Sequence, residues 1–209
     1  MSLNPNHSDV LREYSYLLLR FGNIEEALIH AEKAVAVDPL AWATHHGLGY
    51  TYYCDKRYED AIRELETSIK LASRFPSTKK FLSMAILKRS QEIFNNGEEE
   101  QAMALIETNS KLFDEIWGGN TGWKETVKFA VTGNKQKTLK SIEENSLPFR
   151  PKLYSLLMIG QKETALQMID QRIDFSRQVY IDPIFDSVRN ESRFQQMVER
   201  DMNKDIEID

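Results

Sequence analysis

The chain has 209 residues, 41% of them hydrophobic and 28% charged, with 27 Lys plus Arg against 32 Asp plus Glu and a formal net charge of -5. This is enough apolar material for one substantial core or one continuous solenoid spine, so the composition argues against a disordered polymer, and its mildly acidic balance argues against a nucleic-acid binder. Cys54 is the only cysteine, which excludes an intrachain disulfide and every multi-cysteine metal site and fits a reducing, cytoplasmic setting.

Residues 1–7 lack the charged-then-apolar order of a secretion signal and are expected to be a tag or a flexible start, with helical pattern from Ser8 onward. On the tag reading, a helical pattern that begins almost at once would suit a piece cut from a longer protein, which the sequence does not decide. The aliphatic run Leu17-Leu18-Leu19 ends at Arg20, and no run approaches the roughly 20 residues of a membrane-spanning helix.

Residues 8–75 read as two regular helical hairpins. Gly22-Asn23-Ile24-Glu25-Glu26-Ala27-Leu28 reappears as Lys56-Arg57-Tyr58-Glu59-Asp60-Ala61-Ile62, and Ala27 and Ala61 lie 34 residues apart. Two antiparallel helices approach closely only where small side chains meet, and Ala27, Ala31 and Ala34 supply such a face. Pro39 after Asp38 stops that helix, because proline lacks an amide donor and disfavours helix in the residue before it. The second hairpin carries Trp42, Leu48, Gly49, Tyr52, Tyr58, Ala61 and Leu65 in a large-small-large order.

Residues 76–178 read as irregular hairpins of the same kind. The turn Asn96-Gly97-Glu98-Glu99-Glu100-Gln101-Ala102 repeats the signature 41 residues after Ala61, so about seven residues are inserted around Arg74 to Thr78. A long helix is predicted from Ser77 to Asn95, with Ser90 at the crossing and Gly97 as a left-handed cap. Trp117-Gly118-Gly119-Asn120-Thr121-Gly122-Trp123 is either a binding loop or a turn whose indoles cover helix ends, and the packing reading is favoured. A fourth hairpin joins Thr121–Val131 to Lys135–Asn145 with Thr138 at the crossing. A fifth joins Lys152–Met158 to Lys162–Phe175 with Ala165 in that place. Residues 179–200 read as a capping segment, in which Asp182-Pro183 opens one turn and Ser192 caps a helix presenting Phe194, Met197 and Val198 on one face. Residues 201–209 read as a flexible acidic tail.

The 34-residue period with alanine at the helix crossing resembles the tetratricopeptide repeat (TPR), well over residues 8–75 and weakly through the middle. The resemblance implies an all-α fold: a right-handed α-solenoid of TPR-like hairpins closed by a C-terminal capping helix. Residues 182–194 also resemble the D-P-x-F-D-x-[LV]-R-x-x-x-R-F segment that closes the TPR region of many bacterial multidomain signalling and regulatory proteins. That family implies a non-enzymatic protein- or peptide-binding module acting as scaffold or adaptor. The alternative it implies is the sensory C-terminal region of a larger transcription regulator or nucleotide cyclase.

The sequence offers no catalytic constellation, cofactor motif or metal site. His7, His30, His45 and His46 do not stand at the i, i+4 spacing of a zinc-binding helix, and adjacent His45 and His46 point about 100 degrees apart. Cys54 has no local base to activate it. Gly118, Gly119 and Gly122 lack the lysine of a phosphate loop, and Glu98-Glu99-Glu100 and Glu143-Glu144 read as solvated faces. Counted from the alanine anchors, the concave side of such a solenoid would carry Arg12, Tyr16 and Leu19, then His46, Tyr50 and Tyr53, then Leu87, Gln91 and Phe94. These places resemble the ligand-contacting positions of other TPR domains, without the Lys and Asn pattern of the carboxylate clamp. A groove rich in Tyr with Arg and His favours an apolar or aromatic-bearing peptide, with no nucleic acid or membrane as partner. The competing reading packs some of these side chains against the following hairpins.

Overall fold

Five turns of one kind organise the chain in a computed structural model that describes residues 7–118, 122–171 and 181–204. At each turn one residue takes a positive φ: Gly22, Lys56, Gly97, Gly133 and Gly160. Its amide donates to the carbonyl three residues back and the next amide to the carbonyl five back, as in Gly22 N to Leu19 O (2.9 Å) and Asn23 N to Leu18 O (3.0 Å). The same two bonds recur at Lys56-Arg57, Gly97-Glu98, Gly133-Asn134 and Gly160-Gln161. This Schellman ending satisfies the last carbonyls of one helix and launches the next. Five residues downstream in every case stands a small side chain, Ala27, Ala61, Ala102, Thr138 or Ala165, and each is 0% exposed.

Lys56 is the exception that makes a test. Its φ of 63 is the left-handed conformation that costs a residue with a Cβ roughly 1–2 kcal/mol, while the other four turns use glycine. Lys56→Gly is therefore expected to raise stability by up to about 1 kcal/mol, read as a higher urea midpoint with an unchanged slope.

The chain folds as two compact units, Met1–Ile86 with Ile181–Pro183, and Leu87–Tyr180 with Ile184–Asp209. The first unit contains α1 (Ser8–Arg20), α2 (Ile24–Val37), α3 (Trp42–Cys54), α4 (Tyr58–Leu71) and the start of α5 (Pro76–Asn95). Helix α1 pairs with α2 and α3 with α4, and α3 also packs on both α1 and α2. The small-residue faces explain this stacking. Ala27, Ala31 and Ala34 line the buried side of α2, and a Cβ on Gly49 would stand 2.6 Å from Leu65 Cγ, so only glycine lets α3 and α4 meet. Ser15 Oγ and Thr51 Oγ1 lie 3.2 Å apart between α1 and α3, and Ser68 donates to the Trp42 carbonyl at 2.8 Å. Asn23 caps α2 at Glu26 N (3.4 Å) while its amide donates to the Glu26 carboxylate (2.7 Å).

Beyond α4, the indole of Trp42 stacks on Phe75 at 3.6 Å, and Phe81 on α5 meets the rings of His46, Tyr50 and Tyr53. Tyr53, wholly buried, donates to Asp182 Oδ1 at 2.6 Å, so a residue from far along the chain completes this unit. Tyr53→Phe removes a charge-assisted hydrogen bond and is expected to cost about 1.5–3 kcal/mol in equilibrium unfolding.

The second unit holds the rest of α5 and α6 (Glu99–Thr108), α7 (Ser110–Trp117), α8 (Trp123–Val131), α9 (Lys135–Glu144), α10 (Phe149–Met158) and α11 (Lys162–Asp170). One turn of 3-10 helix (Pro183–Phe185) and α12 (Ser192–Lys204) complete it, with Pro183 belonging to the first unit. Helix α8 pairs with α9 and α10 with α11, while α10 packs on both α8 and α9. That is the same arrangement as α1 to α4. Helix α7 was not anticipated by the hairpin pattern; it forms because Phe113 and Trp117, one turn apart, are both buried. Helix α10 begins at Phe149, three residues earlier than predicted, because Pro151 falls in its first turn, where a missing amide breaks no helical bond. Helix α11 is described to Asp170 and turns at Gln171; the predicted continuation to Phe175 lies outside the described residues. Ser192 is the first residue of α12, one place inside the predicted cap, and α12 runs to Lys204, so the expected tail boundary at 200 falls within a helix. No β-strand occurs among the described residues, so the fold is all-α.

Candidate functional site

In the first unit, the six residues expected on the concave side divide by burial. Arg12, Tyr16 and His46 are half-buried, whereas Leu19, Tyr50 and Tyr53 are buried. Arg12, Tyr16 and Tyr50 form one connected row across α1 and α3. The Arg12 guanidinium lies 5.5 Å from the centre of the Tyr16 ring, and Tyr16 meets Tyr50 edge-on at 6.0 Å. Gly47 makes this possible, because a Cβ there would lie 2.9 Å from Arg12 Cγ.

Three polar atoms of this row are buried without a hydrogen bond of ordinary geometry: Arg12 Nε, Tyr16 OH and Tyr50 OH. A buried donor without an acceptor costs about 1–3 kcal/mol, so such a group is favourable mainly where something else supplies the acceptor. Burial pushes the Tyr16 hydroxyl up to about 12 against the opposing pull of Arg12. Burial likewise raises Tyr50 well above 10, and the neighbouring Cys54 thiol, a weak acceptor, and Asp182 add to the effect. Both phenols are therefore neutral donors at neutral pH. Arg12 remains charged: burial opposes its charge, but Tyr16, Glu13 and Asp9 outweigh burial, with Glu13 Oε1 at 2.8 Å and Asp9 Oδ1 at 3.4 Å.

His46 Nδ1 lies 2.9 Å from Thr78 Oγ1, and burial, aided by Arg12, lowers its pKa from 6.5 to about 4. Between those values the unfolded chain binds a proton that the folded chain does not. Stability is expected to fall as pH drops from about 6.5 to about 4, by roughly 3 kcal/mol at most from this residue. His46→Gln should flatten that part of a pH–stability profile; an unchanged slope would show that the ring is not held neutral.

The adjacent His45 has a packing role. Its Nδ1 lies 2.8 Å from Glu64 Oε2 and its Nε2 donates to the Pro39 carbonyl at 2.9 Å, which ties α3 to α4 and to the preceding turn. Cys54 is buried at 3% exposure. Among the described residues, no three His, Cys, Asp or Glu side chains gather as metal ligands, and no helix is long and apolar enough to cross a membrane.

In the second unit Leu87 is buried, and Gln91 and Phe94 are half-buried on α5. The indoles of the glycine-rich loop point inward. Trp117 and Trp123 are 4% and 2% exposed, form an edge-on pair at 5.4 Å and enclose Phe113, while Trp123 Nε1 donates to Asp114 Oδ1 at 2.8 Å. Residues 119–121 of that loop lie outside the described residues.

The closing segment is also used in packing. Phe185 stacks on Phe194 at 5.7 Å, Val188 and Phe194 are fully buried, and Arg189 donates to Asp186 at 2.6 Å. Arg193 pairs with Asp170 (3.4 Å) and Glu163 (3.5 Å), and Arg200 with Asp170 (3.2 Å), which pins α12 to α11. Sequence reasoning did not assign Gly47, Thr78 or Phe81 to the neighbourhood of the row. Only the i, i+4 step from His46 to Tyr50, with glycine between, hinted at it.

The fold and the row define an all-α protein built by repeating one helical hairpin. No family model and no curated protein matches the chain.

Proposed function

We propose that the chain is a non-enzymatic, TPR-like α-solenoid module that holds a protein or peptide segment along the first helices of its hairpins. The observation that carries this reading is the set of buried donors without a hydrogen bond of ordinary geometry, Arg12 Nε, Tyr16 OH and Tyr50 OH, gathered on α1 and α3 at positions singled out by the repeat register. His30 Nδ1 on α2 and Ser155 Oγ on α10 share that condition singly; among the described residues, only this row gathers three. An extended peptide supplies backbone carbonyls at regular spacing, and aromatic rings beside them give apolar contact. In and beside the row, the half-buried Arg12, Tyr16 and His46 are the first contacts, and Leu19, Tyr50 and Tyr53 form the floor.

The test is affinity selection of a random peptide library on the whole chain, followed by calorimetry of the selected peptides. Arg12→Ala and Tyr16→Phe are each expected to weaken binding about tenfold, the range of one lost hydrogen bond to a charged or buried donor, while circular dichroism stays unchanged. Selected peptides that bind both variants as tightly as the parent chain would place the site elsewhere.

A further inference from the structure

Helix α1 and its C-cap Phe21 carry an apolar stripe that the described residues leave largely open. Tyr14 is 42% exposed, Leu17 45% and Phe21 75%, with half-buried Val10 on the same line. Their spacing of four, three and four residues is the seam of a two-stranded coiled coil. The repeat shows what such a face does. Shifted by the 34-residue period, Val10, Tyr14 and Leu17 correspond to Thr44, Leu48 and Thr51 on α3, which are 1%, 5% and 0% exposed. There, α1 and α2 stack on α3, with Ser15 meeting Thr51. The stripe on α1 is thus a largely open helix-docking face, on which α2 reaches only Tyr14, through His30. Tyr14 is already braced, with its ring edge-on to His30 at 4.7 Å.

The flanks of the stripe indicate the occupant. On one side Leu11 and Leu18 turn into the chain's own core, at 3% and 9% exposure, and are closed to a partner. On the other side Glu13, which also meets Arg12 at 2.8 Å, and Arg20 are both exposed, one heptad apart and opposite in charge. In a parallel pair of helices this open flank would face the closed one. In an antiparallel pair open flank meets open flank, Tyr14 packs on Leu17 of the other helix, and Glu13 meets Arg20 twice over, related by a two-fold axis.

We infer that α1 is a self-association surface, on which a second copy of this chain docks its own α1 antiparallel, with Tyr14, Leu17 and Phe21 as the apolar seam and Glu13–Arg20 pairs at its edge. The apolar seam lies off the Arg12–Tyr16 row, and its polar edge adjoins that row through Glu13, which also meets Arg12 at 2.8 Å.

Sedimentation velocity of the full chain across a concentration series tests this. The parent chain is expected to pass from monomer to dimer, and Leu17→Lys to remain monomeric with unchanged helicity. Glu13→Arg and Arg20→Glu alone each place like charges together at two symmetric points and are expected to weaken the dimer about tenfold; the double reversal E13R/R20E restores it. A parent chain that is monomeric at every concentration overturns the proposal and leaves the stripe to a helix of another protein. A dimer that ignores both single reversals, or that the double reversal does not rescue, overturns the antiparallel pairing.

Discussion

Ala61→Arg is expected to abolish cooperative folding of the first unit. Ala61 is 0% exposed on α4, where α3 lies close enough that Gly49 has no room for a Cβ beside Leu65. A long cation there must either push the two helices apart or bury an unpaired charge, and either cost is about 4 kcal/mol or more, a large share of what holds a small unit together. The measurement is urea unfolding followed by far-ultraviolet circular dichroism. The matched control is Ala36→Arg, since Ala36 is exposed on α2 and the same substitution there should change stability by about 0.5 kcal/mol or less. Equal effects at the two positions would mean that the helix crossing is not where the repeat register puts it.

Trp123→Ala is expected to be the most damaging truncation in the second unit. The indole is 2% exposed, touches Phe113 and Trp117, and donates to Asp114 at 2.8 Å. Its removal leaves a cavity and takes a donor from a carboxylate, for a loss of about 3–5 kcal/mol. Trp123→Phe keeps a ring in place but lacks the N–H, so it should cost about 1.5–3 kcal/mol. Thermal melting with tryptophan fluorescence separates the two. If this loop instead read a ligand with its indoles in solvent, both changes would cost about 0.5 kcal/mol or less.

The architecture was largely legible in the chain because its cause is local. A Schellman turn needs one residue with positive φ, and a close crossing needs a small side chain at a set distance after it; both requirements write themselves into residue type and spacing. Gly97 and Ala102 could therefore be placed despite a seven-residue insertion, and Thr138 could stand in for alanine because its side chain is small and its hydroxyl returns to the Asn134 carbonyl at 2.8 Å. Helix α7 escaped notice for the opposite reason. Its eight residues have no glycine turn ahead of them, and only burial of Phe113 and Trp117 in three dimensions makes the segment helical.

The candidate site was legible as a line on a helix and not as a surface. Periodicity placed Arg12, Tyr16, His46 and Tyr50 on one side of their helices, yet it could not tell that Phe81 and Asp182 would close over Tyr50 and Tyr53, because those partners come from far along the chain. The same limit applied to α1. Val10, Tyr14, Leu17 and Phe21 look like any buried stripe when read as letters, and only the packed structure shows that the described helices of the first unit leave most of it open.

By itself, then, the order of residues determined an all-α chain of repeated hairpins, the positions of their turns and the small side chains at their crossings, since all of these are settled within one or two helices. Tertiary structure alone decided which aromatic groups are floor and which are reachable, which donors lack a hydrogen bond of ordinary geometry, and which face of α1 the described residues leave largely open. Burial and hydrogen-bond satisfaction depend on residues distant in sequence, and no local pattern encodes them.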